Sequence, residues 1–260
     1  MKASQPQVLQ DLAKLKHITE ARIGLKRAGS SLASKEVLTF DLDHARARDA
    51  VHLPFQPEAL AEPIEALGVS TLTIESAAAD RMTYLQRPDL GRKLGLESRT
   101  LLQQQTQSQA QESTEADVCI VIGDGLSSKA IQQNAVPFLS VLLPLCRAKD
   151  WRLTPVHLAT QARVALADEV GEQYGAKLAV VLIGERPGLS AANSMGIYMT
   201  YEPRVGRSDA ERNCISNIRP GGQSYEQAAD LLVRLMEGAL QKRLSGVGLK
   251  DDSEETPLIE

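Results

Sequence analysis

Three side chains sit where a folded chain could use them chemically. They are Asp124 in Gly123-Asp124-Gly125-Leu126-Ser127-Ser128, Glu185 in Gly184-Glu185-Arg186-Pro187-Gly188-Leu189, and Cys214 in Arg212-Asn213-Cys214-Ile215-Ser216-Asn217. Asp124 and Glu185 have the chemistry of a general acid–base pair. Glu185 stands beside Arg186, however, and a carboxylate so placed is more often an ionised acceptor or half of an ion pair. Cys214 follows Arg212 and Asn213, which would favour a thiolate, but no histidine lies near it in sequence. A small packed thiol in contact with a ligand is the simpler reading. No nucleophile, base and orienting partner can be assembled from these residues. His17, His44, His52 and His157 form no His-x-x-x-His or Cys/His cluster, and Cys119, Cys146 and Cys214 lack metal spacing, so no metal centre is expected.

The elements that must position these residues are legible. Residues 177 to 183, Lys-Leu-Ala-Val-Val-Leu-Ile, are a short apolar run that suits a strand buried on both faces of a parallel sheet. Val118 to Ile122 is another such run, and Leu153 to Ala159 a third. Helices are expected between them, at about 128–147 with Ser127 as cap and from Val164 to Tyr174 ended by Gly175. Gly196 to Tyr201 is a candidate fourth strand, and residues 202–222 read as irregular. Ser224 with Gln227 forms a capping box for a last helix that buries Ala228, Leu231, Leu232, Leu235 and Ala239. Right-handed crossovers place the ends of the three strands on one edge of the sheet. The loops at 123–128, 160–164 and 184–189 should therefore converge on one crevice, where open α/β sheets bind ligands.

Upstream, Val8, Leu9, Leu12, Leu15 and Ile18 predict an amphipathic helix over 4–19, followed by a basic turn from Ala21 to Ser31. Helices are expected at 34–52, capped by Ser34, and at 57–68, with an alternating strand at Ser70–Glu75. Tyr84 to Leu94 is a Pro/Gly turn rich in cations. Glutamines at 103, 104, 105, 107, 109 and 111 mark a solvated helix or surface connector, the candidate domain boundary. The expected organisation is α/β: a mainly helical, partner-docking region over 1–100, a connector at 101–116, a Rossmann-like and mostly parallel sheet flanked by helices over 117–250, and an acidic tail at 251–260.

Composition excludes several functions. The 260 residues carry a net charge of −4 and only one Trp, five Tyr and three Phe, so neither a basic field nor stacking platforms favour nucleic acid. No apolar run is long enough to span a membrane, and the unpaired cysteines suit a reducing compartment, which predicts a cytoplasmic protein. Dinucleotide binding is disfavoured. Gly123-x-Gly125 is followed by Ser128 where the third glycine belongs, and Val156-His157-Leu158-Ala159 ends without an acid for a ribose. Hydroxyls, backbone and one Glu-Arg pair suit a large, amide-bearing, nearly neutral ligand better than a polyphosphate.

Several ordered segments resemble the small (light) subunit family of ethanolamine ammonia-lyase, an adenosylcobalamin-dependent enzyme. They are Arg87-Pro-Asp-Leu-Gly-Arg-Lys-Leu94, Asp124-Gly-Leu-Ser127, Val181-Leu-Ile-Gly-Glu-Arg-Pro-Gly-Leu189, and Cys214-Ile-Ser-Asn-Ile218 followed by Gly221-Gly222. The resemblance covers about residues 8 to 250. It implies a cobalamin-binding domain that covers one side of the corrin, with a large (β/α)8-barrel subunit holding substrate on the other. By position it assigns the cofactor contacts to Val164 (apolar or backbone contact), Glu185 (acceptor for corrin amides) and Cys214 (close contact). It assigns no catalytic residue and no metal ligand to this chain, which would be inactive alone. The reaction it implies is radical deamination of 2-aminoethanol to acetaldehyde and ammonia. No Asp-x-His-x-x-Gly occurs, so the cofactor is expected to keep its own base on cobalt. The region before the basic turn is short for the family, so a helix that docks into a bacterial microcompartment is expected to be absent or reduced to 4–19. The spacing from Glu185 to Cys214 is one residue off the family's pattern. The rival readings are a stand-alone Rossmann-like nucleotide-binding enzyme using Asp124 and Glu185, and a structural adaptor whose glycine loops are only turns.

Overall fold

The computed structural model describes residue 15 and residues 21–109 and 116–250. The helix expected over 4–19 lies outside the described residues, Leu15 excepted, and so does the acidic tail. The basic turn folds as a small antiparallel hairpin, β1 (Arg27–Ala28) with β2 (Ser31–Leu32), around Gly29 at φ +64°. Helix α1 (Ser34–His52) follows. Its N-cap is Ala33, not Ser34, and no side chain caps it. Helix α2 (Pro57–Glu65) buries Leu60 and Ile64. Strand β3 (Thr71–Glu75), helix α3 (Arg81–Gln86) and helix α4 (Leu96–Gln109) precede the polar stretch.

The regular alternation then runs β4 (Val118–Gly123), α5 (Ser128–Ala148), β5 (Val156–Thr160), α6 (Leu166–Gln173) and β6 (Leu178–Gly184). Two antiparallel strands, β7 (Met195–Tyr201) and β8 (Arg212–Ile218), and helix α7 (Tyr225–Lys242) complete it. The six-stranded order is β3-β5-β4-β6-β7-β8. The first four strands are parallel, and β7 and β8 add antiparallel pairings. The sheet is therefore mixed, with three parallel pairings and two antiparallel ones at the β7–β8 edge. Strand β3, which precedes the polar stretch, pairs with β5 in this same sheet.

Helices cover both faces, which is why β4 and β6 are buried along their whole length. Val118, Ile120 and Ile122 of β4 pack with Phe138, Leu142 and Cys146 of α5 and Leu232 and Met236 of α7. Cys119 and Val121 point the other way, toward Leu166 and Val170 of α6 and Leu102 of α4. Side chains of β6 divide in the same manner, Leu178, Val180 and Leu182 against Ala179, Val181 and Ile183. Both expected caps form. The Ser127 hydroxyl accepts from the Ala130 N–H at 3.2 Å, and Ser224 and Gln227 make a reciprocal capping box.

Strand β8 corrects the irregular reading of 202–222. It lies at the sheet edge, where only Arg212, Ile215 and Ile218 are buried, so its sequence carries too little apolar alternation to read as a strand. The β7–β8 register contains a bulge. Met195 pairs with Ile218 and Ile197 with Ile215, so Ser216 and Asn217 oppose Gly196 alone. Asn217 takes φ +60°, which an asparagine tolerates.

Candidate functional site

A cleft of about 410 Å³ opens at the carboxyl ends of the parallel strands. The three expected loops meet there: Gly125 and Leu126 follow β4, Arg163 and Val164 follow β5, and Gly184, Glu185 and Arg186 close β6. Ile183, Tyr84 and Tyr198 complete its wall. The chain runs from β4 out to β5 and then back past β4 to β6, so strand order reverses at β4. That reversal opens a crevice because the helices after β4 and β5 leave on opposite faces.

The glycines of the first and third loops have a structural duty. Gly125 has φ +55°, and a Cβ on it would stand 2.2 Å from the Gly184 carbonyl oxygen. A Cβ on Gly184 would stand 2.1 Å from the Ser127 carbonyl oxygen. The two loops cross backbone to backbone, and the Leu126 N–H donates to the Gly184 carbonyl at 2.9 Å. These glycines serve close approach of two strand ends. Their number is no sign of a polyphosphate.

Glu185 is half-buried and fixed from two sides. Its backbone N–H donates to the Ser194 carbonyl at 3.0 Å, and the Ser194 hydroxyl donates to its carboxylate. The Asn217 N–H, freed from the ladder by the bulge, reaches the same carboxylate at 3.2 Å. Gly196 makes room, since a Cβ there would lie 2.9 Å from the Glu185 carboxylate. The bulge thus turns an edge-strand N–H onto Glu185 and steadies its carboxylate as an acceptor at the cleft.

Asp124 does not join Glu185. It is 1% exposed and holds the second loop, accepting from the Ala162 N–H at 2.8 Å and facing Arg81 at 3.3 Å. Burial pushes its carboxyl up to about 6, with the Arg81 guanidinium pulling the other way. Arg81 also donates to the carbonyls of Val51 at 2.6 Å and Gly125 at 2.9 Å. Its guanidinium lies 4.6 Å from the Tyr84 ring centroid, and Arg163 lies 4.4 Å from the same centroid. Two guanidiniums therefore flank one ring. Burial raises the Tyr84 hydroxyl to about 12.

Val164 lines the cleft at the start of the turn that leads into α6. That helix begins at Leu166, two residues later than the sequence pattern suggests. Cys214 is exposed and is the β8 partner of Tyr198, a cleft residue on the adjacent strand β7. Crowding by its neighbours pushes the thiol up, the reverse of an activated thiolate, although the Tyr198 hydroxyl is in hydrogen-bonding reach. Val164 and Glu185 thus share the cleft wall, with Cys214 one strand behind it.

A buried ion pair ties these segments together. Arg212 at the start of β8 and Asp168 in α6 have side chains 2% and 3% exposed and hydrogen-bond directly. Arg212 also donates to Asp209 at 2.8 Å and to the Arg207 carbonyl at 2.9 Å. Burial raises the Asp168 carboxyl, and Arg212 opposes that rise. On the far side of α6, the Leu94 N–H and Arg99 bind Glu169 at 2.9 and 2.7 Å, fixing the Arg87–Leu94 turn near Arg163. Tyr84, Tyr198, Ser194 and Arg81 carry no local sequence signal as site residues. Apart from the Arg81–Tyr84 contact, their partners lie 9 to 80 positions away, so only the fold brings them in.

Sequence comparison decides the family. A profile described as "Ethanolamine ammonia-lyase light chain (EutC)" matches residues 9–250. The chain belongs to the ethanolamine ammonia-lyase small-subunit family. It is 52% identical to the ethanolamine ammonia-lyase small subunit of Azotobacter vinelandii over 240 residues, which is 92% of this chain and 88% of that one. Identity to the small subunit of Ralstonia nicotianae is 50% over 246 residues, covering 95% and 90% of the two chains. For Pseudomonas aeruginosa PAO1 it is 50% over 240 residues, covering 92% and 87%. Among the described residues no helix is long and apolar enough to cross a membrane, and no group of three His, Cys, Asp or Glu could hold a metal.

Proposed function

We propose that this chain is the small subunit of a hetero-oligomeric ethanolamine ammonia-lyase, binding adenosylcobalamin where it meets a large barrel subunit. The carrying observation is that Val164 and Glu185, from two separate loops, wall one cleft at the strand ends, with Cys214 behind Tyr198. The residues fit such a ligand. Glu185 is a steadied acceptor for side-chain amides, and Val164 and Leu126 offer apolar edge. The buried Nε of Arg163, in the cleft wall, has no partner and is a donor in waiting. A cleft of about 410 Å³ cannot enclose a corrinoid. It can take one side of it, which leaves the other side to a second subunit.

In this reading Val164 excludes water from the apolar edge, Glu185 orients the ligand by accepting amide hydrogens, and Cys214 backs Tyr198 in the wall. Bound there, the cofactor would supply the radical chemistry by which ethanolamine becomes acetaldehyde and ammonia, while protein groups bind and orient. The large subunit would hold the substrate. The compartment is the cytoplasm or the interior of a bacterial microcompartment, which fractionation separates.

The test is co-expression with a barrel subunit, adenosylcobalamin titration followed by the visible spectrum, and ammonia release from ethanolamine. The pair should bind and turn over, and each chain alone should not. Glu185→Gln should weaken cofactor affinity about tenfold, the value of a hydrogen bond to a charged acceptor. A pair that never perturbs the cobalamin spectrum would sink the proposal. The rival nucleotide enzyme needs Asp124 in the cleft, and Asp124 is sealed beneath it. Nucleotide affinity or activity in the isolated chain would revive that reading.

A further inference from the structure

We infer that Arg163 and Arg186 form an anion subsite for the phosphodiester of the ligand's nucleotide tail; this rests on the cobalamin reading above. Both guanidiniums belong to the cleft wall, Arg163 half-buried and Arg186 exposed at the rim. Neither makes an ion pair among the described residues, although most arginines around them do. Arg163 is held in place rather than neutralised. Its ring partner is Tyr84, its Nη2 donates to the Tyr84 carbonyl at 3.0 Å, and its Nε is buried with no acceptor. Leaving such a donor unsatisfied costs free energy, and a ligand oxygen would satisfy it.

The carboxylates nearby are otherwise engaged. Glu185 accepts from Ser194 and Asn217, and Asp124 faces Arg81 beneath the cleft. Two guanidiniums against one carboxylate leave the cleft positive within a chain of net charge −4. A cobalamin bears amides around the corrin and one anionic group, the phosphodiester of its tail. Arginine pairs with phosphate oxygens in a forked geometry, so the positive wall and that group are matched in sign and in donor pattern.

The test compares adenosylcobalamin with adenosylcobinamide, which lacks the nucleotide tail, on the two-subunit complex by visible-spectrum titration. Arg163→Gln and Arg186→Gln should each weaken adenosylcobalamin about tenfold and leave adenosylcobinamide within about twofold. Equal losses for both ligands would overturn the inference and make Arg163 only a strut for Tyr84. Unchanged affinity for both would overturn it too. Arg186 is exposed, so its variant carries little folding risk, and Arg163→Lys keeps the charge while losing the fork. If the unmutated complex binds neither corrinoid, it is the cofactor proposal itself that fails.

Discussion

Replacing Arg212 by Met strands Asp168 as an unpaired charge in the protein interior. The two side chains are 2% and 3% exposed, so water cannot stand in for the lost guanidinium. Removing one member of a buried pair costs about 3–5 kcal/mol, because desolvation persists while its compensation is gone. For a chain of this size that is roughly 10 °C of Tm. The loss should also depend on pH with a defined sign. Burial already raises the Asp168 carboxyl and Arg212 holds that rise down, so deleting Arg212 raises it further. Below the raised value Asp168 keeps its proton when folded and the penalty shrinks; as pH rises through it, folding must carry an unpaired anion. The Arg212→Met deficit should therefore be smaller at low pH and grow as pH rises, followed by thermal unfolding in circular dichroism across a pH series. The double variant Asp168→Asn/Arg212→Met should melt above the single one. A pH-independent deficit, or a double variant equal to the sum of the singles, would refute the reasoning.

Gly184→Ala places a Cβ 2.1 Å from the Ser127 carbonyl; the loop crossing must open, and we expect several kcal/mol of destabilisation, read as loss of folded yield against a surface control such as Gly188→Ala. Asp124 holds its proton up to about pH 6 when folded, whereas an unfolded Asp ionises near 3.9. Stability should fall as pH rises between those values and level off above, and Asp124→Asn should flatten that decline in urea titrations from pH 4 to 7. Cys214, exposed but with a raised thiol pKa, should alkylate with iodoacetamide more slowly at pH 7.5 than a free thiol does; a fast reaction there would contradict the assignment.

How far the sequence spoke depended on whether the cause was local. Strands β4 and β6 announce themselves because both faces are covered, so every residue is apolar. Ser127 and Ser224 read as caps because a cap bonds within three residues. The convergence of the three loops follows from strand direction alone. Strand β8 stayed hidden because an edge strand with Asn213, Ser216 and Asn217 needs its neighbour to be recognised. The antiparallel turn of β7 and β8 leaves no mark in apolar periodicity. Asp124 looked catalytic because its partner, Arg81, comes from 43 positions earlier and enters only through the fold.

The bulge opposite Gly196 also bears on how this family tolerates length change. Gly184 pairs with Met195, so the excursion from 185 to 194 leaves and re-enters the sheet at fixed points. A residue gained or lost within that excursion need not displace Glu185 at its root. Strand β8 already stores one surplus residue as Ser216–Asn217. A deletion there would straighten the strand and turn the Asn217 N–H back into the ladder, away from Glu185. Indels should therefore be better tolerated at 187–191 than at the bulge, so that the tip of the excursion is a reservoir for length change and the β7–β8 register is guarded.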